Sequence, residues 1–184
     1  MERRDLFKIL AASAVAAPDA SAQHQHAGPP FSAANYQPRF FSKDEYATAD
    51  RLCDIIVPSD EQSPGAHAAG VAYYIDTVLH YGDATLQKVW RDGFAELEKA
   101  AQSRFSKPFL ACARPDQEEI VATMARNEAN PETALEKFFV TLKRMTVEAY
   151  TLSEVGMRDF IGYKGDAVLA EFPGCTHPQH RSGV

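Results

Sequence analysis

Six histidines and three cysteines are the residues best suited to hold a metal or attack a substrate, and their spacing decides which chemistry is open to them. His24 and His26 form a His-x-His pair that, with a free amine at Gln23, offers copper or zinc three nitrogens. Their setting, rich in Pro, Ala and Gln, favours a solvated tail instead. His177 and His180 flank Pro178 close to Cys175, three ligands of a Cys/His site for which no fourth is visible. Cys53, Cys112 and Cys175 stand too far apart for a CxxC redox site or for an iron–sulfur or zinc cluster. In an oxidising compartment two of the three can pair and one is left over, and the pairing stays open. His67 reads as a helix-entry residue beside Pro64-Gly65. His80 falls at a helix end, where a cation suits the dipole.

The carboxylates offer little more. Asp54 and Asp76 lie beside apolar stripes, so partial burial and a shifted pKa, as in catalytic acids, is one reading for the pair. The simpler reading is structural: a turn-bracing role for Asp54 before Pro58, and for Asp76 a bond to the amides around Pro64-Gly65. Phe138, Phe139, Met145 and Tyr150 are spaced to line a haem or flavin pocket, but the same spacing is that of a packed core. No GxGxxG, Walker loop, HExxH, GxSxG or CxxCH occurs, which removes the usual support for nucleotide, metalloprotease, hydrolase and covalent-haem chemistry. The residues alone describe a domain without chemistry of its own.

The N-terminus carries a different kind of signal. Arg3-Arg4-Asp5-Leu6-Phe7-Lys8 is followed by a short apolar run, Ile9 to Ala17, and by the small-x-small sequence Ala20-Ser21-Ala22. The three parts stand in signal-peptide order and resemble the twin-arginine signal of bacteria. The apolar run is shorter than the ~20 residues that span a bilayer. The expectation is cleavage after Ala22, a chain beginning at Gln23, periplasmic export and no direct membrane insertion afterwards. The twin-arginine route carries folded proteins, so the cargo is a cofactor protein or the escort of one. The formal charge is −6, and losing Glu2, Arg3, Arg4, Asp5, Lys8 and Asp19 leaves it unchanged. That balance excludes nucleic acid, which needs clustered cations against its phosphates.

The elements that must position these residues are helices. Residues 23–40 have no apolar period and read as a flexible lead-in. Ser42 and Glu45 form a capping box, with Phe41 stapled on Tyr46. The helix they start presents Ala49, Leu52, Cys53 and Ile56, and Pro58 stops it. Val71, Tyr74, Ile75, Val78 and Leu79 make a second helix. Asp83 caps a long third one through Leu86, Trp90, Phe94, Leu97 and Ala101. Pro115 to Glu119 opens a fourth with an acidic turn. Asn130-Pro131 marks the start of a fifth, whose stripe of Leu135, Phe138, Phe139, Leu142, Met145, Ala149 and Tyr150 is the strongest in the chain. A shorter piece covers 153–160. No hairpin turn separates alternating apolar runs, so a sheet has no support. The prediction is an all-α, single-domain bundle of five to six helices.

Several segments in order give the chain a family resemblance. Asp54-Ile55-Ile56-Val57-Pro58, Ser63-Pro64-Gly65-Ala66 and Val71-Ala72-Tyr73-Tyr74-Ile75-Asp76 resemble the opening of the gluconate 2-dehydrogenase subunit 3 family. Phe138-Phe139, Leu142-Lys143, Thr146-Val147 and Tyr150 to Gly156 are similar to its C-terminal half. Tyr163 to Asp166 and Gly174-Cys175 are similar to its close. The resemblance implies a helical accessory domain over 41–176, with a tail at 177–184. It also implies a large FAD-dependent dehydrogenase partner of the glucose–methanol–choline type, and often a cytochrome c subunit. It brings no catalytic, cofactor-binding or metal residues to this chain, and FAD is expected in the partner. The candidate partner surface joins two turn-bearing segments, with Pro64, Gly65 and Ala66 on one and Tyr150, Ser153 and Glu154 on the other.

Overall fold

A computed structural model describes residues 36–61 and 63–163. Every regular element among the described residues is helical. They are α1 (Lys43–Ile56), the single turn α2 (Gly65–Ala68), α3 (Val71–Tyr81), α4 (Ala84–Phe105), a 3-10 turn (Phe109–Ala111), α5 (Arg114–Ala125), α6 (Ala134–Leu152) and a π-helical turn (Gly156–Phe160). Among the described residues no helix is long and apolar enough to cross a membrane.

The helix with the strongest stripe becomes the centre of the bundle. α6 packs against α1, α2, α3, α4, α5 and the π turn. It buries Phe138, Phe139, Leu142, Met145, Thr146, Ala149 and Tyr150, so the expected core stripe is one. α4 meets it closely at Gly93, where any side chain would run into the Phe138 ring. That approach lets Trp90 pack edge-on to Phe138 at 5.3 Å and donate its indole N–H to Met145 Sδ at 3.4 Å. Edge-to-face aromatic pairs of this kind add to the burial energy.

The helix starts follow local chemistry. Ser42 Oγ accepts from the Glu45 amide and Glu45 accepts from the Ser42 amide, the expected capping box. Asp83 accepts from the Leu86 amide. α1 stops at Ile56, and Val57 closes it with an amide bond to the Cys53 carbonyl. Phe41, the residue expected to staple on Tyr46, packs its ring on Trp90 and Phe94, and the Tyr46 ring packs on Tyr36. α6 begins three residues later than Asn130-Pro131 implies. Thr133 and Glu136 form a second capping box there, which satisfies two end donors where Asn130-Pro131 would satisfy fewer.

Asp76 corrects a second expectation. Its carboxylate is fully buried and does not reach the Pro64-Gly65 amides. It accepts instead from Tyr36 Oη at 2.6 Å and from the amides of Arg39, Phe40 and Phe41 at 2.8, 3.1 and 2.8 Å. Arg91 of α4 lies over the Phe40 ring and donates to the Phe40 carbonyl at 2.7 Å. Residues 36–40, read from the sequence as the end of a flexible lead-in, are therefore fixed to α3 and α4.

Candidate docking surface

Two segments separated by more than eighty residues meet at one end of the bundle. Ser63 Oγ and Tyr150 Oη share a short hydrogen bond, which joins the turn before α2 to the end of α6. On the first side, the Ser63 amide is held by Asp60 Oδ1 at 2.7 Å, and Ala66 N–H donates to the Val57 carbonyl at 2.9 Å. Gly65 sits at φ +75, with Ser59 N only 2.6 Å from where a Cβ would stand. Both the left-handed backbone and the close approach demand glycine there.

On the second side α6 ends in an unusual exit. Ser153 Oγ donates to the Tyr150 carbonyl at 2.6 Å and accepts from the Gly156 amide at 2.9 Å. Gly156 is packed directly on the Tyr150 carbonyl, and the π turn leaves from this point. Wide turns like this one often mark functional positions. The turn leaves Leu152, Phe160 and Ile161 63%, 67% and 54% exposed. Beside them lies an open groove of about 660 Å³ lined by Glu154, Met157, Arg158, Gly162 and Tyr163.

The expected interface residues thus divide by burial. Pro64 and Glu154 are exposed and Ser153 is half-buried, whereas Gly65, Ala66 and Tyr150 are buried. The buried ones shape the surface and do not present it. Leu152, Phe160 and Ile161 were missed by the periodicity argument, which looks for apolar residues that go inward. The Phe160-Ile161 pair just after Arg158-Asp159 was the available signal.

A second feature adjoins Pro64. A cleft of about 420 Å³ opens between α1 and α2, with Asp50, Arg51 and Asp54 on one wall and Pro64 and His67 on the other. Asp50 Oδ2 lies 2.7 Å from His67 Nδ1, so His67 braces α2 on α1 as well as entering the helix. Asp54 Oδ2 accepts from Arg114 Nη1 at 2.5 Å. Bonding to Asp54 first, and then to Glu118, raises the Arg114 pKa further. Asp54 braces α5, as a structural carboxylate does. Asp76, held by Tyr36 and the amides of Arg39, Phe40 and Phe41, is not part of this cleft, and the structure does not unite the two into an acid–base pair.

Cys53 and Cys112 are free thiols, both buried. Burial pushes Cys53 from its ordinary 9.0 to about 12, and its sulfur contacts Thr146 Oγ1 at 3.3 Å. Burial likewise raises Cys112. Neither has the lowered pKa of a reactive cysteine. Among the described residues no group of three or more His, Cys, Asp or Glu is placed to hold a metal. Arg3, Arg4, Ala20, Ala22, His24, His26, Cys175, His177 and His180 lie outside the described residues.

The family model described as gluconate 2-dehydrogenase subunit 3 matches residues 43–173. No curated protein and no solved structure matches the chain.

Proposed function

The chain belongs to the gluconate 2-dehydrogenase subunit 3 family, and from that premise we propose that it is the non-catalytic small subunit of an exported dehydrogenase complex. In this reading a large FAD-dependent subunit of the glucose–methanol–choline type oxidises gluconate or another sugar or polyol. The small subunit binds that flavoprotein, stabilises it and supplies its export signal, and a cytochrome c subunit completes some complexes. The observation that carries the docking role is the exposure of Leu152, Phe160 and Ile161 around one turn. Apolar side chains clustered on a surface cost solvation free energy until a partner covers them. Aromatic and aliphatic anchors beside a polar rim, here Glu154 and Arg158, are the usual anatomy of such contacts.

The test is co-expression with the large FAD-dependent subunit of the proposed complex. The tagged chain is expected to retain the flavoprotein, and Phe160→Asp with Ile161→Asp is expected to release it without lowering the melting temperature. The isolated chain from Gln23 onward, supplied with FAD, is expected to leave gluconate, aldoses and polyols unchanged. Turnover by the isolated chain would overturn the accessory reading.

A further inference from the structure

We infer that Tyr150 is a positioning residue for the docking turn, and that the turn before α2 sets, through it, how Phe160 is presented. The inference rests on the subunit reading above and adds what holds its anchor in place. Three parts of this one residue do three different things. Its phenol oxygen shares the short hydrogen bond with Ser63 Oγ. Its ring meets Phe160 edge-on, with centroids 6.2 Å apart and planes at 63°. Its carbonyl accepts from the Ser153 amide at 3.1 Å and from Ser153 Oγ at 2.6 Å, and Gly156 lies directly over it.

The far end of these contacts is rigid. The Asp60 amide donates to the Ser63 carbonyl at 2.8 Å, while Asp60 Oδ1 accepts from the Ser63 amide at 2.7 Å. Ser63 Oγ also accepts from the amide of Gly65 at 3.3 Å, and Gly65 is wedged against Ser59. Ser63 Oγ is therefore a fixed point, 87 positions from Tyr150 in the chain. The near end has little support of its own. Phe160 is 67% exposed, and among the described residues the ring it meets is that of Tyr150. The π turn that carries it is closed by the Ile161 amide on the Gly156 carbonyl at 2.9 Å. Its start is thus pinned at Gly156, where the Tyr150 carbonyl stands. An exposed anchor that must be ordered on binding weakens the contact by the entropy it loses, and one already held does not. Tyr150 itself is 4% exposed and leaves almost nothing for a partner to cover. Its contribution to docking is to hold Phe160 ready.

The experiment uses the mature chain, tagged and co-expressed with the large FAD-dependent subunit, and follows flavin retained on the tag through serial dilution. Tyr150→Phe keeps the ring and removes the bond to Ser63, and Ser63→Ala removes the same bond from the other side. Each is expected to weaken retention about three- to tenfold. The double variant is expected to lose no more than either alone, because one bond is lost in all three. In a Phe160→Ala background, Tyr150→Phe is expected to cost nothing further, a result that a purely structural role for the hydroxyl would not give. In the isolated chain both single variants should speed hydrogen exchange at the amides of Gly156 and Ile161 while α4 stays protected. Equal retention by wild type, Tyr150→Phe and Ser63→Ala overturns the positioning role and leaves the subunit reading standing. So does an additive loss of Tyr150→Phe with Phe160→Ala, and so does unchanged exchange at Gly156 and Ile161. A wild-type chain that retains no flavin overturns the subunit reading, and the role in docking with it.

Discussion

Asp76 places a full carboxylate where there is no solvent to screen it, and four donors make that position tolerable. Three successive amides and one tyrosine hydroxyl converge on its two oxygens. The Tyr36 phenol responds to this setting. Burial first, then its bond to Asp76, pushes its pKa up to about 12. Asp76→Ala leaves four donors without their acceptor. The expected loss is about 2–4 kcal/mol in urea denaturation, since orphaned buried donors cost ~1–3 kcal/mol and part of them regain water. Hydrogen exchange should show lost protection confined to the amides of residues 39–41. Unchanged stability and protection would mean that the carboxylate is not what fixes this segment. The apolar stripe beside Asp76 signals partial burial as one reading and a bond to the amides around Pro64-Gly65 as the simpler one, and the structure buries the residue completely. Sequence reasoning assigned the wrong donors because the true ones lie 35 to 40 positions upstream, in a stretch with no periodicity to announce them.

Helix ends show the same division between local and distant information. Ser42/Glu45 and Asp83 were legible because the capping partner stands three residues from its cap, so the bond is written in a short window. Thr133-x-x-Glu136 carries the same signature. Asn130-Pro131 competes with it as a start signal, since proline at a first helical position is also favourable. The structure gives the cap to Thr133, with Glu136 accepting from its amide at 2.9 Å. The bonds made at Thr133 and Glu132 first, against a small opposing effect of burial, lower the Glu136 pKa. Thr133→Ala is accordingly expected to cost about 1 kcal/mol, within the ~0.5–2 kcal/mol range of such caps. Asn130→Ala is expected to cost less than half as much. Thermal melts of the two variants decide it, and a larger loss at Asn130 would return the helix start to residues 130–131. α6 itself needed no such help. Its stripe is long enough to identify it as buried, though not to reveal that it touches every other helix of the bundle.

At the scale of the whole molecule, periodicity reads burial well and surfaces poorly. Phe138 and Phe139 declare themselves because they repeat with Leu142 and Met145. Leu152, Phe160 and Ile161 do not, because an exposed anchor breaks the rule that apolar residues turn inward. The proposed subunit role ties this surface to Arg3-Arg4 by a testable prediction. If the flavoprotein crosses the membrane already folded on this subunit, then one export signal serves both proteins, and it is Arg3-Arg4. Changing both to lysine keeps two positive charges and removes the planar fork that distinguishes arginine. The expected result is that this chain and the flavoprotein both stay in the cytoplasm, the latter carrying flavin and oxidising its substrate in that fraction. The apolar turn variant Phe160→Asp with Ile161→Asp should separate the pair differently: the small subunit is still exported and the flavoprotein alone is left behind. Fractionation with activity assays reads both outcomes. Periplasmic dehydrogenase activity unaffected by the double lysine change would falsify shared export, and flavoprotein exported normally with the turn variant would remove the π turn from the contact.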